Sequence, residues 1–350
     1  NGAFRVAQRG TSFTGLGDAS ANPYTMDRWF FAEESDGGGR YTVAQESGAG
    51  PGNGFTNQLS VHCTTADGTL AAGILNLLEQ RIEAKELQHI MKGTAAAKAL
   101  TMSFWVKSSQ TGVMNVLIRA QDTDRSILTN YTINVADTWE YKSFTIPGDT
   151  TGTITNDTGI GFMVYFVLAA GSTFKGGTAD AWATHNNNRY GTDQTVNIFA
   201  STDDDWSVTG VQLEVGSVAT DFEHEDFGVT YLKCKRYLPF YFDAANNSNF
   251  RFAFGAAYST SYFQCILPFL VPPRAAVTIS VDSIGNWRAE TGDGTGITVT
   301  AIATQPSVNA DNFGMWSTAN FQSSSGYTAK EPGFLRPNGT SGIMIASCEL

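Results

Sequence analysis

The sequence is poor in charged side chains, cysteine and histidine. Charged residues occupy 16% of the 350 positions, and there are four cysteines and four histidines. No two of the cysteines form a C-x-x-C pair, which argues against a zinc site and against a small disulfide scaffold. We expect Cys63, Cys234, Cys265 and Cys348 to be reduced and buried, because free cysteine behaves as a small apolar residue. A disulfide is the alternative.

Long hydrophobic runs are also missing. The longest, FMVYFVLAA at 162–170, is far short of the roughly 20 apolar residues that span a membrane as a helix. The sequence therefore predicts no membrane span. The chain opens on Asn1 with neither an initiator methionine nor a signal-peptide pattern, which indicates a fragment or a processed product.

Positive charge is scarce in the first part of the chain. Of the 22 Lys and Arg and the 33 Asp and Glu, eight of each lie in residues 226–350, so residues 1–225 carry the whole net charge of −11. Nucleic-acid binding requires a basic surface, so this distribution argues against it. Cations or neutral glycans are the expected ligands. The change in charge also predicts a domain boundary near residue 225.

Short alternating apolar runs separated by glycine, asparagine and serine predict strands. In TMSFWVK, Met102, Phe104 and Val106 share one face, and WEYKSFTIP and VNIFAS (196–201) follow the same period. IGFMVYFVL (160–168) is apolar on both faces and predicts a central strand. Further strand-like runs fill the second half of the chain: 251–258, 262–271, 276–282, 296–303 and 342–350.

Two segments carry helical patterns. Residues 74–93 fit a helix by propensity, and a strand through Ile82 and Glu83 followed by a short helical turn is the alternative. Residues 225–238 place Phe227, Tyr231, Cys234 and Leu238 on one helical stripe, which fits a linker helix or a helix at a subunit axis.

The sequence as a whole predicts an all-β chain. We expect a jelly-roll β-sandwich in residues 1–224, a short linker helix in residues 225–238, and a smaller C-terminal β-sandwich in residues 239–350.

Several motifs follow one another along the chain: NGAFRVAQRGTSF, YTMDRWFF, EQRIEA, LTMSFWVKSS and the block VTGVQLEVGSVATDFEHEDFGVTYLKCKRY. Together they resemble a family of phage tail-fibre and related virion proteins that contain a jelly roll like that of carbohydrate-binding modules. The resemblance covers roughly residues 1–240, and residues 239–350 more weakly resemble the terminal sandwich of fibre tips.

The resemblance implies a homotrimeric, extracellular tail-fibre component of the virion. Its partners would be other virion tail proteins and a host cell-surface glycan. It also implies that residues 80–83 form a strand, so we expect the strand in residues 74–93 rather than the helix.

A polar and aromatic loop is the first candidate for a glycan site. Sugar sites combine flat aromatic rings with amide and charged groups, and loops on a rigid sandwich often bind ligands. The alternative is that the tryptophans close the ends of the sandwich as core residues. The candidate residues are Trp182, His185, Asn187, Arg189, Tyr190 and Trp206.

Three adjacent carboxylates form the candidate metal site. Asp203, Asp204 and Asp205 would repel one another, and a Ca²⁺ ion with oxygen ligands would relieve that repulsion. A solvated acidic turn is the alternative. Glu33, Glu34 and Asp36 form a similar cluster.

Catalytic signals are weak. Residues Glu223–His224–Glu225 offer an acid, a base and an imidazole, yet their spacing suits a turn between a strand and a helix better than a substrate cleft. In the second domain Trp287, Arg288, Trp316 and Tyr327 are spread over several turns.

We therefore expect a non-enzymatic structural and receptor-binding protein. A polysaccharide depolymerase is the first alternative, and a purely architectural virion protein, such as a head fibre or adaptor, is the second.

Overall fold

The computed structural model describes most of the chain. The described residues are 1–17, 22–35, 37–48, 50–245, 250–292, 294, 296–303, 316–323, 326–339 and 342–350, with the backbone alone at 303 and 316–319. The chain divides into two compact units, residues 1–230 with Leu350 and residues 231–349. The fold is all-β, as predicted.

Unit 1 contains twelve strands in its described part. They are β1 Ser12–Leu16, β2 Trp29–Glu33, β3 Arg40–Ser47, β4 Asn57–Thr65, β5 Leu75–Glu83, β6 Leu100–Ser108, β7 Gly112–Ala120, β8 Arg125–Ile133, β9 Glu140–Ile146, β10 Ile160–Ala170, β11 Ala183–Thr184 and β12 Asp205–Val215. Short 3-10 helices lie at Ala84–Ile90, Gln121–Thr123, Ser172–Phe174 and Asn187–Arg189.

These strands form the two six-stranded antiparallel sheets of the jelly roll. The first sheet has the order β1-β3-β4-β12-β6-β9, and the second has the order β11-β8-β7-β10-β5-β2. Their inner faces enclose a core with large aromatic side chains, among them Trp29, Phe104, Phe166 and Trp206, each fully buried. Burial of such side chains is the main stabilising term for a sandwich of this kind.

Strand β10 is central, as its two apolar faces predict. It pairs with β5 on one side and with β7 on the other. Phe162 and Phe166 face the inter-sheet core, whereas Met163 and Tyr165 belong to a second apolar cluster on the outer face of the second sheet. That cluster includes Phe174 and Tyr190 from the following loop, so the outer face of β10 is covered by protein.

The predicted strand in residues 74–93 is confirmed, although helix propensity favoured a helix there. Strand β5 runs to Glu83, and the 3-10 helix Ala84–Ile90 follows it. Leu78 on this strand reaches the inter-sheet core, while Leu75 and Leu77 join the outer apolar cluster. Burial on both faces of a sheet explains why tertiary packing overrides the local preference.

The prediction of a strand at 196–201 is wrong. Ile198 and Phe199 are fully buried, but no strand is assigned there. The Asn197 side chain accepts a hydrogen bond from the Phe199 N–H at 3.1 Å and donates one to the Asp67 carbonyl at 3.1 Å. Such an asparagine turn competes with strand pairing.

A single α-helix, α1 Phe227–Lys235, lies in the described part of the chain and is shorter than the predicted 225–238. Its first turn is capped by the Asp226 carboxylate, which accepts from the Gly228 N–H at 2.7 Å. Lys233 and Lys235 occupy its last turn, where positive charge is favourable. None of the described helices has the length and apolar character needed to cross a bilayer.

Unit 2 is the smaller β-sandwich. Its strands are β13 Phe240–Asp243, β14 Ala253–Ala257, β15 Tyr262–Pro268, β16 Thr278–Val281, β17 Trp287–Thr291, β18 Gly296–Thr298, β19 Ala301–Ala303, β20 Trp316–Gln322, β21 Pro332–Pro337 and β22 Ile343–Ser347. They form sheets of order β13-β22-β16 and β18-β17-β21-β14-β15-β20-β19. Phe263, Trp287, Phe321 and Leu335 are fully buried in its core.

Candidate functional site

The structure does not bring the six predicted glycan-site residues to one open surface. Trp206 is fully buried in the inter-sheet core, with its ring centroid 5.5 Å from that of Phe166. Trp182 is half-buried and donates from its indole nitrogen to the Pro147 carbonyl at 2.7 Å. The structure therefore supports the alternative that Trp206 is a core residue.

The loop residues near Tyr190 cover the outer face of the second sheet. Arg189 is buried and donates to the carbonyls of Ser126 and Ala181 at 3.1 and 3.0 Å. Tyr190 packs edge-on against Tyr165, with the ring centroids 5.5 Å apart. Tyr190 thus helps to cover the apolar outer face of β10, whereas Arg189 binds the loop to β8.

Two members of that loop differ in exposure. His185 is buried, and its Nδ1 lies 3.1 Å from the Ser126 hydroxyl. Burial, followed by the positive charge of Arg119, lowers the pKa of His185 to about 4. Asn187 is exposed. Ligand binding by this loop stays a prediction.

The structure does not group the three adjacent aspartates as metal ligands. Asp204 is buried and accepts hydrogen bonds from the Gln110 side chain at 2.7 Å and from the Ser201 N–H at 2.8 Å. Asp205 contacts His62 Nδ1 at 2.5 Å, and Asp203 is exposed. The carboxylates of Asp204 and Asp205 thus have different partners, and that of Asp203 is exposed. No group of three metal-ligating side chains occurs within the described residues, and Asp36 of the other acidic cluster lies outside them.

The aromatic set of the second unit is mostly internal. Trp287 is fully buried and Tyr327 is 3% exposed. Arg288 is half-buried, and the side chain of Trp316 lies outside the described residues. The three members whose side chains are described therefore do not share an exposed surface.

A groove that the sequence analysis missed lies on the outer face of the first sheet. Leu100, Met102, Phe104 and Val106 of β6 face the core, so the period of two turns Trp105 outward. Trp105 pairs with Tyr141 of β9, and their ring centroids lie 5.4 Å apart with planes inclined by 54°. Trp105 is half-buried and Tyr141 is 45% exposed.

A cluster of three rings joins the two loops that wall the groove. Phe55, Phe222 and His224 lie with their ring centroids 5.0 Å from one another in each pair. His224 Nε2 contacts the Asn53 carbonyl at 3.1 Å, which links the two loops that bear these rings. His224 thus lines the groove, whereas the sequence indicated only a turn.

An irregularity in β12 makes room for this ring cluster. The pairing of β12 with β6 shifts register between Thr209 and Gln212, and Gly210 lies in this interval with φ +63°. A Cβ atom at Gly210 would lie 2.6 Å from the Phe55 ring. Only glycine meets both requirements, because it has no Cβ and tolerates positive φ.

The groove encloses about 710 Å³, a size typical of small-molecule sites. Its lining combines aromatic rings with hydroxyl, amide, imidazole and carboxylate groups. The lining residues are Asn53, Phe55, Ser103, Trp105, Tyr141, Gly210, Ala219, Thr220, Asp221, Phe222 and His224.

The sequence contained one signal for the floor of this groove. In TMSFWVKSS the residues between the core positions are Ser103, Trp105 and Lys107, so a tryptophan stands on the polar face of a strand. Tyr141 has the same position in EYKSFTI. A pair of aromatic residues on the polar faces of two strands suggests an exposed apolar patch, and such patches often mark interaction sites. The walls gave no comparable signal, because they come from two loops far apart in the chain.

Comparison with known proteins yields low similarities. No protein-family model and no curated protein matches the sequence. A CBM4 structure is 17% identical with a TM-score of 0.32, covering 62% of this chain and 98% of that chain. The family 11 carbohydrate-binding module of a Clostridium thermocellum cellulase is 13% identical with a TM-score of 0.29, covering 60% and 96%.

One phage protein is also similar at this level. The enzymatically active domain of tailspike protein 4 from bacteriophage CBA120 is 12% identical with a TM-score of 0.31. The similarity covers 58% of this chain and 21% of that chain. Similarities this low assign neither a ligand nor an activity to the present chain.

Proposed function

We propose that the protein binds an oligosaccharide in the groove on the outer face of the first sheet. The observation that carries this proposal is the partly exposed pair of Trp105 and Tyr141 in the floor of a groove with polar walls. Core tryptophans of this unit, such as Trp29 and Trp206, are fully buried. Core packing therefore does not explain why Trp105 is partly exposed.

The chemistry of the lining suits a sugar. A pyranose ring presents C–H groups on its faces and hydroxyls at its edge, so it stacks on an aromatic face and offers hydrogen bonds to polar neighbours. Trp105 and Tyr141 supply the apolar faces. Ser103, Thr220 and Asn53 supply donors and acceptors from the floor and both walls.

The test is glycan binding by the full chain and by groove variants. A glycan array identifies a ligand, and calorimetry then measures its affinity for Trp105→Ala, Tyr141→Ala and the control Tyr258→Ala, which removes a 79% exposed aromatic ring of unit 2. We expect a loss of about tenfold or more for each groove variant and no change for the control, since a central aromatic contact contributes about 2 kcal/mol.

Two results would reject the proposal in different ways. If no glycan binds, the function is wrong. If glycans bind and the double variant of Trp105 and Tyr141 retains full affinity, the function stands and the groove is not the site.

We propose further that the protein binds its glycan without cleaving it. Glycosidases use two carboxyl groups about 5 to 9.5 Å apart, and Asp221 is the one acidic side chain among the described residues of the lining. The depolymerase alternative predicts new reducing ends when the protein is incubated with host polysaccharide. Their appearance, and their loss in Asp221→Asn, would establish that alternative.

The proposed setting is a homotrimeric tail fibre on the outside of a phage virion, where the chain meets other tail proteins and a host cell-surface glycan. Its support is the sequence resemblance over roughly residues 1–240. Three weak sites held together would bind a cell surface through avidity. An architectural virion protein would form the same trimer without glycan affinity, so the array separates the two cases.

An exposed apolar patch in unit 2 favours self-association. Phe254 pairs in register with Ile266 and Phe334, and their side chains are 58%, 49% and 40% exposed. Contiguous exposed apolar groups commonly mark an interface. Residues 226–350 carry equal numbers of acidic and basic groups, so copies of this unit do not repel one another.

Light scattering tests the trimer. We expect three chains per particle for the full protein and a shift toward monomer for Phe254→Ser combined with Phe334→Ser. The control Val218→Ser changes a 76% exposed apolar residue of unit 1 and is expected to leave the trimer intact. A monodisperse monomer in the unaltered protein would contradict the proposal.

A further inference from the structure

The two wall segments of the groove carry charges of one sign. The segment 211–226, which comprises the end of β12 and the loop of one wall, carries five carboxylates but no lysine or arginine, and the segment 48–57 of the other wall carries no charged residue. We infer that the groove selects uncharged glycans and rejects those that bear carboxylate, sulfate or phosphate groups, an inference that rests on the proposed function.

The five carboxylates differ in what they already bind. Glu214 accepts from the Thr220 N–H at 2.9 Å and from its hydroxyl at 2.7 Å, and Asp226 caps α1. Glu225 accepts from the Thr230 hydroxyl at 3.3 Å. These three have structural roles.

Asp221 is different. Its side chain is exposed, lines the groove, and has no hydrogen-bond or ion-pair partner within the described residues. Glu223, also exposed, stands two positions further along the same wall. An acidic sugar that stacks on Trp105 and Tyr141 would therefore bring its charge toward an uncompensated carboxylate, and opposed like charges disfavour a complex.

The cations on the floor strands do not offset this charge. Lys142 of β9 is held by Glu140 at 2.6 Å. Lys107 of β6 lies with its ammonium nitrogen 5.8 Å from the centre of the Trp139 ring. Neither side chain belongs to the lining. Hydroxyl and acetamide groups, in contrast, meet donors and acceptors in the groove without any charge conflict.

The experiment uses matched glycans that differ in one charged group. The probes are N-acetyllactosamine with its sialylated form, and an oligogalacturonide with its methyl ester, together with any array ligand and its sulfated form. For the full chain we expect the neutral member to bind about fivefold or more tightly than the acidic member in low salt. The difference should shrink at 0.5 M NaCl, because salt screens exposed charges.

Two charge-reversal variants locate the effect. Asp221→Lys should bring the acidic member to within about twofold of the neutral one. Asp203→Lys makes the same change of net charge at an exposed position before β12, whereas Asp221 follows the end of that strand. It should leave the discrimination unchanged.

The outcomes separate this inference from the proposed function. Tighter binding of acidic members, or equal discrimination by the two variants, would overturn the inference while glycan binding stands. Failure of every glycan to bind would overturn the proposed function, and the inference with it.

Discussion

The ammonium nitrogen of Lys92 lies 3.0 Å from the carboxylate of Asp149, and the two side chains are 2% and 3% exposed. Arg125 also binds Asp149, through two hydrogen bonds of 2.7 and 3.0 Å. Lys92 donates further to the carbonyls of Thr151 and Gly152 at 2.8 and 2.9 Å. This buried network fixes the loop that follows β9.

Removal of the shared carboxylate should destabilise unit 1 strongly. We expect Asp149→Ala to lower the free energy of unfolding by about 3 to 5 kcal/mol, because it leaves Lys92 and Arg125 without their counter-charge. The measurement is urea denaturation at pH 7. Asp124→Asn, which breaks the more exposed pair with Arg119, serves as the control and should cost about 1 kcal/mol or less. Equal costs for the two variants would contradict this account.

Acidification should destabilise the fold through His185. The pKa of this buried imidazole is lowered to about 4 from its ordinary value of 6.5, so below pH 6.5 the unfolded chain takes up a proton that the folded chain does not. Stability is therefore full above pH 6.5 and falls by up to about 1.4 kcal/mol per pH unit between 6.5 and 4.

The comparison with His185→Gln isolates this contribution. Between pH 7 and 5 the unaltered protein should lose about 2 kcal/mol more than the variant, as measured by urea denaturation at each pH. Parallel pH profiles for the two proteins would show that His185 is not the responsible group.

Alanine at Gly210 should damage the groove wall. The positive φ and the contact of 2.6 Å with Phe55 both penalise a Cβ atom, so we expect a loss of about 1 to 3 kcal/mol in stability together with weaker glycan binding. Thermal unfolding and calorimetry measure the two effects. Gly285→Ala is the control, since nothing lies within 4 Å of its added Cβ. Unchanged affinity in Gly210→Ala would show that the position of Phe55 does not matter for binding.

The four cysteines should be unreactive in the native protein. All four are free and buried, and burial raises the pKa of the Cys63 and Cys348 thiols. The thiolate is the reactive form. A thiol reagent should therefore label four cysteines per chain in denaturant and almost none in the native protein. Fewer than four in denaturant without reductant would reveal a disulfide.

Many strands of this chain could be predicted from the sequence, because buried residues along a strand recur with a period of two. Apolar alternation located β6, β9 and β10, and the two apolar faces of 160–168 placed β10 in the middle of a sheet. The resemblance of residues 79–84 to a known family gave the strand β5 that helix propensity concealed. At 196–201 the same alternation failed, because the side chain of Asn197 holds the backbone in a turn.

The position of the groove could not be predicted from the sequence, because it depends on tertiary structure. A period of two tells which residues share a strand face, but not whether that face is covered or open. The outer face at Tyr165 is covered by Tyr190, which the sequence suggested as a sugar ligand, whereas the outer face at Trp105 remains open. Its walls unite Asn53 and His224, residues 171 positions apart, and only the packing of their loops over Gly210 creates the groove. Composition and order thus determined the β architecture and the acidic character of the first unit, and the folding of distant loops onto one sheet face decided where a ligand can bind.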